Sequence, residues 1–149
     1  MQLTQHTDFG LRLLVALARD GGQLSLPGFA ASQGISYHHV AKVAQALVRE
    51  GLAVSQRGRS GGILLARPAA ETRVGDAVRA LEKTMRLVDC GRCALREDCS
   101  LSGMLAEAMD AFIAVLDRYT LADAARSGVP AFPGWAMPAT QGTCAAIGD

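Results

Sequence analysis

The chain has 149 residues, half of them hydrophobic, and a formal net charge of +1. That length suits one globular domain with a small appendage, and aromatics are scarce enough (5%) that its core must be built of Leu, Val and Ala. The balance of charge excludes a uniformly basic or acidic protein, and the longest apolar run, Leu13 to Ala18, is far below the roughly 20 residues of a membrane span. No positive region followed by an apolar stretch opens the sequence, so a cytoplasmic protein without a signal peptide or membrane contact is expected.

Charge is unevenly spread. Between Ser36 and Arg73 six cations (Lys42, Arg49, Arg57, Arg59, Arg67, Arg73) face two carboxylates (Glu50, Glu71), a local surplus of the kind a phosphate-facing surface needs.

In chain order, Gln5 to Arg19 places Phe9, Leu13, Ala16 and Leu17 on one helical stripe. Thr4 caps it and Asp20-Gly21-Gly22 ends it. Ser25 to Gly34 reads as a short helix with Pro27 in its first turn, where a missing N–H costs nothing. Ser36 caps a longer helix from Tyr37 to about Glu50, with Val40, Val43, Ala44, Leu47 and Val48 inward and Gly51 at its end. Two helices of this size joined by a glycine-containing turn make a helix-turn-helix. Leu52 to Ala66 then reads as a β-hairpin with a tip rich in Gly and Arg, which attached to the helices is a wing. A further helix is expected at about Val74–Lys83, an aperiodic loop over Asp89–Cys99, and a long helix from Leu101 to Tyr119. In the last, Leu101, Leu105, Ala108, Phe112, Leu116 and Tyr119 recur at helical spacing, a stripe better suited to a second subunit than to the core of a small domain. Thr120 to Ala125 adds a helical turn. Pro130, Pro133 and Pro138 imply a poorly ordered tail.

The expected fold class is therefore mainly α with a small β-hairpin wing: a winged helix-turn-helix at 1–83, a cysteine loop at 84–100, a dimerisation helix region at 101–127 and a tail at 128–149. The recognition helix begins at Tyr37, and in such units its N-terminal residues enter the major groove. Ser36, Tyr37, His38, His39 and Lys42 are the candidate contacts there. Arg57, Arg59 and Ser60 at the wing tip suit the minor groove, where glycines allow close approach and arginine is drawn to negative potential. Solvated surface is the competing reading for each of them, and a metal site a further one for the histidines.

Three cysteines crowd ten residues: Cys90, Cys93 and Cys99, as Cys-x2-Cys-x5-Cys. In a reducing compartment such a cluster points to metal or redox chemistry rather than to structural disulfides. Zinc, an iron–sulfur cluster, a thiol/disulfide switch and inert cysteines all remain open on spacing alone. Zinc sites usually want four Cys or His ligands, and neither Cys144, in the tail, nor His6 is a neighbour in sequence. Iron–sulfur clusters accept a non-cysteine ligand more readily. No nucleophile–base pair or phosphate loop is evident, so the chain is not expected to be an enzyme.

Four stretches carry a family resemblance: Met1-Gln-Leu-Thr-Gln-His-Thr-Asp-Phe-Gly-Leu-Arg12, the wing Val54-Ser-Gln-Arg-Gly-Arg-Ser-Gly-Gly-Ile63, Arg73-Val-Gly-Asp-Ala-Val-Arg-Ala-Leu-Glu82 and Asp117-Arg-Tyr-Thr-Leu-Ala-Asp123. Over about residues 1–125 the sequence resembles the winged-helix iron–sulfur transcription regulators of the IscR/NsrR family, most closely its nitric-oxide-responsive repressors. The resemblance implies an iron–sulfur cluster, [4Fe–4S] in preference to [2Fe–2S], one per subunit on Cys90, Cys93 and Cys99. It implies Asp8 of the partner subunit as fourth ligand, with His6 as runner-up. It further implies a homodimer, double-stranded operator DNA as partner and nitric oxide as signal. The alternatives are an IscR-type regulator answering to cluster status and a zinc-stabilised adaptor. The second cysteine gap agrees with the family; the first is shorter and also resembles a Cys-x2-Cys zinc or redox corner.

Overall fold

The computed structural model describes residues 2–56, 58, 61–90, 93–95 and 98–126. The described residues form helices α1 (Gln5–Asp20), α2 (Leu26–Gln33), α3 (Tyr37–Arg49), α4 (Val74–Leu81), α5 (Leu101–Leu116) and α6 (Leu121–Ala125), with strands β1 (Ala53–Gln56) and β2 (Gly62–Leu65) between α3 and α4. The mainly helical winged helix-turn-helix expected from the sequence is the observed fold.

Local chemistry sets the first three helices. Thr4, Ser25 and Ser36 each turn a side-chain oxygen onto a backbone N–H of the following first turn: Thr7, Gly28 and His39 respectively. Each satisfies one of the donors that a helix start leaves without an intrahelical partner. The turn between α2 and α3 passes through Gly34 at φ 64°, a left-handed conformation that a Cβ would strain.

The hairpin is antiparallel, pairing Ala53 with Leu65 and Gln56 with Gly62. Leu24, between α1 and α2, extends it by a bridge to Ile63, the two backbones exchanging N–H···O bonds of 2.8 and 3.0 Å. Gly62 makes this approach possible, since a Cβ there would lie 2.5 Å from the Leu24 carbonyl oxygen.

The core is aliphatic, as composition required. Leu13, Leu14 and Leu17 of α1, Val40, Val43 and Leu47 of α3, Ile63 of β2, Ala77 and Leu81 of α4, and Leu121 of α6 are all buried. α1 is central and packs against α3, α4, α6 and β2. Its Gly10 lies directly on Leu81, with no room for a methyl group between them.

Two helices end earlier than their apolar periodicity suggested. α4 stops at Leu81 rather than Lys83 because Glu82 leaves the helix to reach α1. α5 stops at Leu116 rather than Tyr119 because the chain turns there. Asp117 pairs with Arg79, and the Tyr119 carbonyl accepts the Val74 N–H. The turn lets Thr120 bridge Arg73 and start α6 with a capping box to Asp123. A 3-10 turn at Ala69–Glu71, absent from the sequence reading, links β2 to α4.

Candidate functional site

The recognition helix presents its first turn outward. Tyr37 is 56% exposed, and His38, His39 and Lys42 are exposed with it, while Val40, Val43 and Leu47 on the opposite side are buried. One face of α3 thus anchors the helix and leaves a hydroxyl, two imidazoles and an ammonium exposed on the other. Ser36 is engaged: its Oγ accepts the His39 N–H at 3.4 Å, so its first task is to hold the helix start. The wing strands are described up to Gln56 and from Gly61, but Arg57, Arg59 and Ser60 lie outside the described residues, as do Cys144 and the 128–149 tail.

His39 has a second contact. Its ring lies beside that of Phe9 in α1, with centroids 6.4 Å apart and planes tilted by 34°, and 6.2 Å from the His38 ring. The start of the recognition helix therefore touches the helix that carries Asp8.

Asp8 lies in the first turn of α1 and binds Arg12 one turn on, Oδ2 to Nη2 at 2.8 Å and Oδ1 accepting from Nε at 3.0 Å. This pairing uses one acceptor position on each Asp8 oxygen, so a metal would share the carboxylate with Arg12 or displace it. The side chain remains partly accessible.

Cys90, Cys93 and Cys99 are all free thiols; Cys93 is exposed and the others are half-buried. The Cys93 N–H donates to the Cys90 carbonyl at 3.4 Å. Among the described residues, no group of three or more His, Cys, Asp or Glu side chains is gathered tightly enough to hold a metal ion. The fit to an iron–sulfur cluster is thus one of donor chemistry, three accessible soft ligands on one loop, and not of arrangement.

The feature sequence reading missed is the root of this loop. Glu82 directs one carboxylate oxygen at the start of α1. It accepts from Thr7 Oγ1 at 2.6 Å, from Thr4 Oγ1 at 3.0 Å and from the Thr4 backbone N–H at 3.1 Å. Thr7 is wholly buried. Partial burial pushes the Glu82 carboxyl up, but the hydrogen bonds from Thr7 and Thr4, helped by the charge of His6, outweigh it and leave the group below the usual carboxylate range. The three donors lie 75 and 78 positions away, so local patterning carried no sign of the contact.

A second polar pairing fixes α5. Arg79 of α4 donates two hydrogen bonds to Asp117, Nη1 to Oδ1 at 2.8 Å and Nη2 to Oδ2 at 2.5 Å, and a third to Asp76. The bond from Arg79 holds Asp117 below its ordinary range against the opposing effect of burial. Beside this pair Ile113 makes the buried contact of α5 with its own chain. Of the expected stripe, Leu105, Phe112 and Leu116 are half-buried, whereas Leu101, Ala108 and Tyr119 are exposed, together with Met104 and Val115. No helix among the described residues is long and apolar enough to cross a membrane.

Comparison with known proteins agrees with this geometry. The model of the Rrf2 family, an iron-dependent transcriptional regulator, matches residues 3–127. Among solved structures the chain is similar to CymR (YrzC), the global cysteine regulator of B. subtilis, at 26% identity over 84% of this chain and 96% of that one, with a TM-score of 0.69. It is similar to the oxidised form of Staphylococcus aureus CymR at 28% identity, covering 85% and 97% of the two chains, with a TM-score of 0.67. It is equally similar to T. potens IscR, at 28% identity over 83% and 85% and the same TM-score.

Proposed function

We propose that this chain, which belongs to the Rrf2 family of transcriptional regulators, is a homodimeric repressor whose grip on operator DNA is set by an iron–sulfur cluster and released by nitric oxide. One observation carries the reading: the loop bearing the three free thiols is rooted through Glu82 on the first turn of α1, and α1 packs against the recognition helix.

In this reading Cys90, Cys93 and Cys99 hold the cluster, and Asp8 of the opposite subunit completes the set after leaving Arg12. When bound, the cluster supplies iron that reacts with nitric oxide. The remaining work falls to protein groups. Tyr37, His38, His39 and Lys42 contact bases and phosphates in the major groove, and Arg57, Arg59 and Ser60 follow the minor groove. The exposed apolar residues of α5 pair the subunits, which sets two recognition helices a whole number of helical turns apart on a roughly palindromic site. Loaded and reacted forms must differ in DNA affinity, because a signal that binds both states alike shifts nothing.

Native mass spectrometry of anaerobic protein tests the reading, on wild type and Asp8→Ala, before and after nitric oxide. The expected result is two clusters per wild-type dimer, reduced occupancy in Asp8→Ala, and loss of operator binding after exposure. Colourless, iron-free protein that still holds its operator refutes it. The similarity to T. potens IscR supports a second reading on the same scaffold, in which cluster occupancy alone is the signal. An apo form with its own class of DNA site would favour that one, and stoichiometric zinc in the purified protein would defeat both.

A further inference from the structure

The recognition helix starts on weak local support. The first amides of any helix lack intrahelical partners, and the Ser36 cap on the His39 N–H is long at 3.4 Å. The Val40 N–H reaches the Ser36 carbonyl at 3.2 Å. Side-chain packing must therefore help to hold this turn, and the Phe9 ring is the aromatic group beside it, within the roughly 4.5–7 Å separation at which ring pairs attract. Phe9 is half-buried against the core. It lies two residues beyond Thr7, near the start of α1, where the Thr4 hydroxyl oxygen accepts the Thr7 N–H at 3.3 Å and the Thr4 carbonyl accepts the Asp8 N–H at 2.9 Å. Thr7 in turn is held by Glu82, whose backbone N–H is fixed to the Val78 carbonyl at 2.8 Å. Glu82 closes the end of α4, two residues before the 84–100 cysteine segment.

We infer that Glu82, Thr7, Phe9 and His39 form a relay that transmits the arrangement of the cysteine loop to the first turn of the recognition helix. The inference rests on the proposed function for the signal at its input, but the mechanical link exists without a cluster. While the loop leaves Glu82 on Thr7, the first turn of α1 is clamped and Phe9 supports His39. When the loop rearranges and draws residue 82 away, that turn loses three hydrogen bonds, Phe9 gains freedom, and the start of α3 frays. Glu82, Thr7 and Phe9 are positioning residues, and His39 is the member of the relay placed where it can touch DNA.

Hydrogen exchange of the metal-free full chain tests the link directly. Glu82→Ala and Phe9→Leu should each speed exchange of the His39 and Val40 amides by about three- to tenfold, the factor corresponding to an aromatic pair. The Val43 and Leu47 amides, deeper in α3, should move only with global stability. His39→Ala, at an exposed position, should give the same rise at Val40 if Phe9→Leu does not fold. Exchange unchanged at Val40 in these variants, or a response to Glu82→Ala confined to α1, overturns the relay. A second arm measures affinity for a duplex selected from a random pool by the full-length protein, in cluster-loaded and chelator-stripped states. Both Glu82→Ala and Phe9→Leu should collapse the wild-type ratio toward one. A wild-type ratio of one sinks the proposed function and leaves the exchange result to decide the relay. A large wild-type ratio retained in both variants sinks the relay and spares the function.

Discussion

Replacing Glu82 by Gln keeps the shape of the side chain and removes its charge, which isolates the carboxylate at the junction of α1 and α4. One oxygen of Glu82 accepts three hydrogen bonds. Bonds to a charged acceptor contribute about 1.5–3 kcal/mol each when well buried. Here the three share one oxygen and the site is partly open to solvent, so they are neither additive nor unscreened. A net loss of about 1–2 kcal/mol is expected at neutral pH, or about 2–8 °C in Tm for a chain of this size. The pH dependence is the sharper test. The native carboxyl sits below its unfolded value, so its stabilisation is fully present above the unfolded pKa of about 4.3. It is lost as pH falls through the native pKa, where the folded state also takes up the proton. Wild type and Glu82→Gln should therefore differ at pH 7 and converge only as pH falls below the unfolded value of about 4.3 and through the lower native pKa. Thermal unfolding of metal-free protein at fixed concentration, followed by circular dichroism from pH 7 to pH 3, measures this. A gap that stays constant across that range would falsify the assignment of stability to the charged form.

Gly10→Ala should destabilise by about 1–2 kcal/mol despite the better helix propensity of alanine, because the new methyl meets Leu81. Gly103→Ala is its control: nothing lies within 4 Å of a Cβ there, so denaturant titration should show a gain of about 0.5–1 kcal/mol. Lys42→Ala should weaken operator binding and flatten the dependence of log K on log salt by about one unit if the ammonium neutralises a phosphate; an unchanged slope would remove Lys42 from the interface. Leu101→Glu combined with Met104→Glu, both at exposed positions of α5, should shift the proposed dimer toward monomer in light scattering while leaving helix content intact.

The parts of the molecule legible in the sequence are those whose causes are local. Thr4, Ser25 and Ser36 signal helix starts because the oxygen and the N–H it caps are three residues apart. Gly34 signals the turn because its backbone conformation excludes other residues. The exposed start of α3 follows from the burial of Val40, Val43 and Leu47 at helical spacing. What escaped the sequence is set by distant partners. Periodicity runs on through Glu82 and Tyr119, yet both helices stop short because a carboxylate and a carbonyl find better partners in α1 and α4. The stripe on α5 shows the same limit: helical spacing marked the apolar residues, but Ile113, outside that stripe, is the one buried on the helix's own chain. The candidate ligands Cys90, Cys93, Cys99 and Asp8 are a reading of donor chemistry alone. The thiols share a loop that does not gather them, and Asp8 is occupied by Arg12.

That occupation bears on how such a switch would be balanced. An Asp8 with no partner would be available to a cluster at no cost, and assembly would be governed by the thiols alone. Paired to Arg12 through both oxygens, it instead competes: ligation by the partner subunit must exceed what the ion pair contributes. Exposed pairs of this kind are worth at most about 1 kcal/mol, against a change of several kcal/mol for a full population shift. The pair is thus strong enough to give α1 a defined resting geometry and too weak to hold Asp8 against a metal. In the proposed dimer the start of α1 would then have two arrangements, one closed on Arg12 within the chain and one directed at the cluster of the partner subunit, and Phe9 beside His39 is where the difference would reach the recognition helix.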